Sequence, residues 1–146
     1  MSDLPRAPIN VPFRSTFDPM EIPSFLPGLI LWDVEYRDDR WSRLKYRLVG
    51  GNTARFLGTN PTGRYMDEVY EPYFYDVLVP IYDELFATRL PQYLRSRGPV
   101  EDRKYITFDR IAVPLTTDGM RIDQVLACFE FTIGAVAKQR SRSFVR

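Results

Sequence analysis

Adjacent carboxylates are the first side chains in this sequence whose types could support acid–base chemistry. They occur as Asp38-Asp39, Asp67-Glu68 and Asp83-Glu84. Neighbouring side chains on a helix or a turn diverge, so none of these pairs is expected to converge on one substrate. The 146 residues include no histidine, which removes the most common general base, metal ligand and axial haem ligand. No Gly-x-Ser-x-Gly motif marks a serine nucleophile, and we therefore predict a protein that is not an enzyme.

A glycine pair and a lone cysteine are the next candidates. Gly50-Gly51 joins a predicted strand to a predicted helix, where backbone amides often hold phosphate. The Lys-Ser/Thr of a P-loop and the three spaced glycines of a dinucleotide fold are missing, so a tight turn is expected. Cys128 is the only cysteine, which excludes an internal disulfide and a Cys-rich zinc site. Its apolar neighbours predict a buried hydrophobic side chain, and a single cysteine suits the reducing cytoplasm, where we expect the protein.

Arg110 and Gln124 are polar side chains inside otherwise apolar predicted strands. A polar group that is buried in such a strand must have a partner. Three interpretations stay open: the two side chains point to solvent, they pair with Asp109 or Asp123, or they orient a ligand. A further alternative is a small enzyme in which Asp33, Asp109 or Asp123 acts as a base in an apolar pocket.

Composition limits the partners. The net charge is +1 and acidic and basic residues are mixed, so we expect neither a nucleic acid nor a membrane as a partner. Aromatic residues make up 14% of the chain, which is ample for an aromatic core or pocket. The first residues are rich in proline, unlike a signal peptide, and no apolar run reaches the roughly 20 residues of a membrane span.

The pattern of elements predicts one α+β domain at 17–134, between an extended arm at 1–16 and a basic, solvated tail at 135–146. The predicted strands are 29–36, 43–49, 91–98, 104–115 and 120–133; the predicted helices are 18–25, 54–57, 65–69 and a long one that begins at Pro72 and kinks at Pro80. A charged loop is expected at 99–103 and a hairpin turn at 116–119. We predict a five-stranded antiparallel sheet with short helices on one face.

Several short motifs resemble those of the PAS-like domains of a bacterial PAS subfamily. They are Leu44-Lys45-Tyr46-Arg47-Leu48-Val49-Gly50, Arg55-Phe56-Leu57-Gly58, Thr62-Gly63-Arg64, Asp109-Arg110-Ile111-Ala112-Val113-Pro114-Leu115 and Asp118-Gly119. The resemblance covers about residues 17–134 and depends on the order and spacing of the motifs. It implies the PAS fold, in which two strands, short helices and three strands follow one another, and a sensor domain of a kind that often dimerises.

The resemblance also implies a small-molecule ligand between the inner face of the sheet and the helices. The residues expected near such a ligand are Trp32, Tyr46, Leu48, Phe56, Tyr65, Val77, Phe108, Arg110 and Gln124. Residues 52–58 are similar to the flavin-binding helix of light sensors, but they have an extra residue and no cysteine, which excludes a cysteinyl-flavin photocycle. The lack of histidine excludes the haem ligation common among PAS sensors, and the sequence names no other cofactor.

The expected function is that of a non-catalytic sensory module, which holds a small metabolite and signals through a partner protein or a homodimer. The alternative is an interaction or dimerisation module whose core is filled by its own side chains. The third interpretation is a small carboxylate-dependent enzyme.

Overall fold

The structure is a computed structural model that describes residues 10–16, 27–101 and 104–135. A short 3₁₀ turn, Arg14–Thr16, precedes the main elements. These are β1 Leu29–Arg37, β2 Arg40–Val49, α1 Gly51–Leu57, α2 Met66–Val69, α3 Pro72–Thr88, β3 Gln92–Glu101, β4 Lys104–Leu115 and β5 Gln124–Ala135. The predicted helix at 18–25 and most of the predicted tail lie outside the described residues.

The strands form one antiparallel sheet in the order β2-β1-β5-β4-β3, which confirms the prediction of an α+β fold around a five-stranded antiparallel sheet. Three of its pairings join strands that follow one another in the chain. The fourth joins β1 to β5, with Leu29 opposite Cys128 and Asp33 opposite Gln124. That pairing brings the two halves of the sequence together, and the three helices fill the connection between β2 and β3.

A bulge in β2 changes which face of the sheet its side chains occupy. Tyr46 lies opposite Trp32, but Leu48 lies opposite Leu31, so Arg47 is an extra residue on β2. Because Trp32 and Leu31 point to opposite faces, Tyr46 and Leu48 do so as well. The prediction that Leu48 lies with Tyr46 near a ligand on the inner face is therefore wrong, and Leu48 is 40% exposed.

The helices begin and end largely where glycine and proline predict. Helix α1 ends at Gly58, whose φ of 78° is the left-handed conformation that glycine adopts without strain. Its N-cap is Gly50 without a side-chain cap, so the helix begins at Gly51 and the predicted start at residue 54 is wrong. Helix α3 has Pro72 in its first turn and continues through Pro80.

The buried stripe of α3 consists of Leu78, Tyr82 and Leu85, which recur at spacings of four and three. Val77 lies about 100° around the helix from Leu78, because successive residues turn by that angle. It is consequently 59% exposed, contrary to its expected place near a ligand.

The connection between β4 and β5 is longer than the predicted hairpin turn. The Asp118 carboxylate accepts hydrogen bonds from the backbone amides of Met120 and Arg121, at 2.8 and 3.3 Å. The Asp123 carboxylate accepts one from the Thr117 amide at 3.0 Å. These side chains hold 117–123 as a loop, so β5 begins at Gln124 and not at residue 120.

The two faces of the sheet carry separate apolar clusters. The inner cluster joins strand residues such as Trp32, Tyr46 and Val125 to the helices. The outer cluster is formed by Leu29, Leu31, Val113, Leu115 and Leu126. The described part of the predicted arm contacts the sheet at the end of β4.

That part of the arm is tied to the end of β4 by backbone hydrogen bonds. The Arg14 amide donates to the Thr116 carbonyl at 2.7 Å, and the Thr116 amide donates to the Pro12 carbonyl at 3.1 Å. Val11 is fully buried there. Within the described ranges, no helix is both long and apolar enough to cross a membrane.

Candidate functional site

A cavity lies between the inner face of the sheet and the helices. It is lined by side chains from β1, all three helices, and β3 to β5, and all but one of them are apolar or aromatic: Trp32, Phe56, Met66, Tyr70, Phe74, Leu78, Tyr82, Leu94, Phe108, Arg110 and Phe129. The cavity volume is about 20 Å³, somewhat more than the roughly 10–15 Å³ that one water molecule needs.

Arg110 is the one charged residue of this lining, and it is only 2% exposed. It is in the middle of β4, where alternation along the strand directs it to the inner face together with Phe108 and Ala112. Its Nη2 donates to Gln92 Oε1 at 2.7 Å, and its Cζ lies 5.3 Å from the centre of the Tyr82 ring. Its Nε and Nη1 have no hydrogen-bond partner among the described residues.

No carboxylate of the described residues forms an ion pair with Arg110. Its neighbour Asp109 points to the outer face, where it pairs with Arg95 at 3.0 Å and accepts a hydrogen bond from the Tyr93 hydroxyl. An arginine side chain keeps its charge under all ordinary conditions. The cavity therefore holds a permanent positive charge that no carboxylate within the described part of the chain compensates.

Gln92 holds the guanidinium in place. Its Nε2 donates to the carbonyl of Ile81 on α3 at 2.8 Å, which leaves Oε1 to accept from Arg110. The side chain thus connects β4 to α3 through two hydrogen bonds. Sequence reasoning missed Gln92, because nothing in its neighbourhood along the chain marks it as facing Arg110.

Aromatic rings form the walls of the cavity. Trp32 and Tyr82 meet edge to face with their ring centres 5.8 Å apart. Phe108 lies 6.1 Å from Phe56 and 5.7 Å from Phe129. Such tilted and edge-on contacts are the favourable geometries for aromatic pairs.

The cavity has a buried floor and a partly exposed rim. Arg110, Tyr82 and Trp32 belong to the floor. The rim consists of the lining side chains that solvent still reaches, which are Phe56, Phe74, Leu94 and Phe129. A ligand larger than a water molecule enters only if these rim side chains move aside.

The phenol groups near Arg110 stay protonated at neutral pH. Burial raises the pKa of Tyr70 and of Tyr82, and the positive charge of Arg110 offsets part of that rise in both. Burial also raises the pKa of Tyr46 well above its ordinary value. Groups with such raised pKa values are hydrogen-bond donors and not bases.

The structure brings Trp32, Phe56, Phe108 and Arg110 together in this cavity. Tyr46 is buried behind Trp32, with the ring centres 5.7 Å apart, and does not line the cavity.

The other predicted site residues lie elsewhere. Leu48 is exposed because the bulge in β2 turns it to the other face, and Val77 is exposed because it lies beside the buried stripe of α3. Tyr65 lies at the surface, where its hydroxyl donates to the Glu35 carboxylate and its ring lies 3.5 Å from the Arg43 Cζ.

Gln124 is on the outer face together with a carboxylate. Its Nε2 donates to Asp33 Oδ1 at 2.8 Å, and Asp33 also pairs with Arg47 at 3.1 Å. Asp109 and Asp123 likewise have partners outside the cavity. None of the three carboxylates considered as a possible base lines the cavity.

A second cleft, open to solvent and with a volume of about 770 Å³, lies at the end of α3. Trp41 and Phe86 stack there with ring centres 5.4 Å apart, and the cleft is bordered by Arg40, Arg89 and Arg121. These arginines are exposed, so water already solvates their charges and no ligand is required. We therefore take the smaller cavity around Arg110 as the candidate site.

The described residues contain no group of three or more metal-ligating side chains. No family model matches the chain, and a search of curated proteins found no significant match.

Proposed function

We propose that this chain is a PAS-like sensory module that holds a small ligand between its sheet and its helices and signals through a partner protein or a second copy. The observation that carries the proposal is Arg110. A charge that is nearly fully buried, with two of its three nitrogens unpartnered, costs stability. A binding partner for that charge explains why the cavity contains it.

The arrangement of the elements supports the PAS-like assignment. Two strands, three short or medium helices and three strands follow one another, as the resemblance implies. The cavity lies on the helical side of the sheet, where the ligands of such domains bind.

The hydrogen bonds of Gln92 provide a route for the signal. Gln92 contacts Arg110 on β4 and the Ile81 carbonyl on α3. A ligand that shifts the guanidinium changes the position of Gln92 and thereby the packing of α3 against the sheet. The exposed surface of α3 then reports the ligand to a partner.

Thermal-shift screening of metabolites tests the proposal. A ligand present at 100 times its Kd stabilises the folded state by about 2.7 kcal/mol, and about 3–4 °C of Tm accompanies each kcal/mol for a domain of this size. Leu94→Trp should block the rim and abolish the shift. Tyr93→Trp is the matched control, because Tyr93 is the neighbouring residue on the opposite face and is 62% exposed. A shift that survives Leu94→Trp would place the ligand elsewhere.

An interaction module with a self-filled core is the second candidate. The observation that favours it is the small volume of the cavity, about 20 Å³. Tyr93 and Ile111 also lie opposite each other on the outer face and are 62% and 52% exposed, which offers an apolar contact surface. Sedimentation over a range of concentrations tests it: association that Ile111→Lys abolishes, without a thermal shift for any compound, supports this candidate over the sensor.

A further inference from the structure

We propose that the ligand of this cavity is a monocarboxylate with a compact apolar or aromatic body, bound through its carboxylate to Arg110. The inference rests on the proposed function, since it specifies the chemical class of ligand for the same cavity. Three properties of the site support it: its charge, its free donors and its lining.

The number of charges selects a monoanion. Arg110 supplies one positive charge, and no other lining residue is ionised at neutral pH. A ligand with one negative charge neutralises the site completely. A phosphate monoester carries about 1.5–2 negative charges at pH 7, so it would leave an unbalanced charge in a low-dielectric interior.

The free donors select a planar group with two oxygens. Nε and Nη1 of Arg110 have no partner, and Nη2 carries two protons, of which Gln92 accepts one. A carboxylate accepts two parallel hydrogen bonds from adjacent guanidinium nitrogens, which is the strongest arrangement available to this pair. A halide ion or an alcohol has a single acceptor atom, so it can satisfy only one of these two parallel N–H groups.

Gln92 acts as a positioning residue in this arrangement. Because its amide nitrogen is committed to the Ile81 carbonyl, its oxygen faces Arg110 and fixes the plane of the guanidinium. A correctly oriented fork distinguishes a carboxylate from a primary amide of the same shape, since the amide offers one oxygen and a repelled NH₂ group.

The rest of the lining specifies the body of the ligand. Apart from Arg110, the lining consists of aromatic rings, Met66 and two leucines, which offer apolar contact and no further charge. A short aliphatic chain or one aromatic ring suits this lining chemically, and it fits only when the rim side chains move aside, because the cavity volume is about 20 Å³. Besides Arg110, the lining offers a ligand only the Trp32 Nε1, which has no partner among the described residues, and the Tyr70 and Tyr82 hydroxyls. A ligand with several hydroxyl groups would therefore lose more hydrogen bonds to water than it regains.

The experiment compares benzoate with benzamide, which differ mainly in charge, by calorimetry and thermal shift on the whole chain. We expect benzoate to bind at least about thirtyfold more tightly than benzamide, as is typical for a buried charged pair. Phenyl phosphate is the third probe and should bind more weakly than benzoate. Propionate, which has the same head group on a smaller body, should bind more weakly than benzoate but in the same site.

Two variants identify the residue responsible. Arg110→Met should remove the preference for benzoate over benzamide, leaving both weak and nearly equal. Gln92→Leu should reduce the preference by about tenfold while retaining Arg110. Arg95→Met, which removes an exposed arginine on the adjacent strand, should leave all affinities unchanged.

The outcomes separate this inference from the proposed function. Equal binding of benzoate and benzamide to the unaltered protein overturns the inference and leaves the ligand-binding module standing. Tighter binding of phenyl phosphate also overturns it. If neither these probes nor any compound in a metabolite screen binds, the proposed function itself is refuted.

Discussion

Replacing Arg110 with methionine should make the ligand-free protein more stable. Methionine is unbranched, of similar reach and apolar, so it can fill the space of the aliphatic part of arginine. The change removes a charge that is 2% exposed and has two unpartnered nitrogens. Gln92 is only partly buried, so water can take the place of the absent guanidinium at its amide oxygen.

The size of the effect follows from the surroundings of the guanidinium. An unsatisfied buried donor costs about 1–3 kcal/mol, so two of them cost about 4 kcal/mol in the middle of that range. Against this gain, the substitution removes one charged hydrogen bond to Gln92, worth about 2 kcal/mol, and a cation–π interaction with Tyr82, worth about 1 kcal/mol. The free energy of unfolding should therefore rise by about 1 kcal/mol, which corresponds to about 3–4 °C in Tm.

Urea denaturation and calorimetry of the ligand-free protein measure this change. Arg95→Met is the control, because Arg95 is exposed and its ion pair with Asp109 is at the surface, so its effect should stay within about 0.5 kcal/mol. If Arg110→Met instead lowers the free energy of unfolding by more than about 1 kcal/mol, the guanidinium is a satisfied structural group. Its burial then gives no reason to expect a ligand.

Three further changes test the fold around the site. Leu85→Ala, at a fully buried position of α3, should lower the free energy of unfolding by about 2–5 kcal/mol in urea denaturation, whereas Val77→Ala on the same helix should change it by less than about 0.5 kcal/mol; equal effects would contradict the assigned faces of α3. Gly58→Ala should destabilise the protein by about 1–2 kcal/mol because φ is 78° there; nothing lies within 4 Å of the added methyl group, so backbone strain is the sole cause. Gly51→Ala is equally unobstructed but lies in a helix, so it should stabilise the protein by about 0.5–1 kcal/mol. Burial raises the pKa of Tyr82, so the folded state retains a proton that the unfolded state releases above about pH 10. The contribution of Tyr82 to the free energy of unfolding is therefore fully present below pH 10 and is lost as the pH rises through the folded pKa. Tyr82→Phe should make that decline shallower by about 1.4 kcal/mol per pH unit.

Much of the fold followed from local chemistry. The strand predicted at 104–115 is β4 with the same bounds, and Gly58 and Pro72 marked a helix end and a helix start. These signals are short-range, because a strand's period, a glycine at positive φ and a proline at a first turn depend on neighbours along the chain. The start of β5 and the face on which Leu48 lies in β2 were not predicted, because they depend on side-chain hydrogen bonds and on a bulge.

The candidate site was only partly accessible to such reasoning. Trp32, Phe56, Phe108 and Arg110 were predicted and line the cavity. Tyr82 and Leu78 belong to an apolar helical stripe, so a helical wheel could have found them. Leu48 was assigned to the wrong face because one extra residue in a strand reverses every side chain beyond it.

The sequence by itself determined the kinds of elements, the lack of histidine and disulfides, and the presence of a cation inside an apolar strand. Whether the Arg110 guanidinium faces solvent, a carboxylate or a cavity depends on the register of the strands and on which helix covers the sheet. Those are contacts between residues far apart in the chain, such as Arg110 with Gln92 and Gln92 with Ile81. Only the tertiary structure decided them, because the free energy of burying a charge depends on what surrounds it in space and not on its neighbours along the chain.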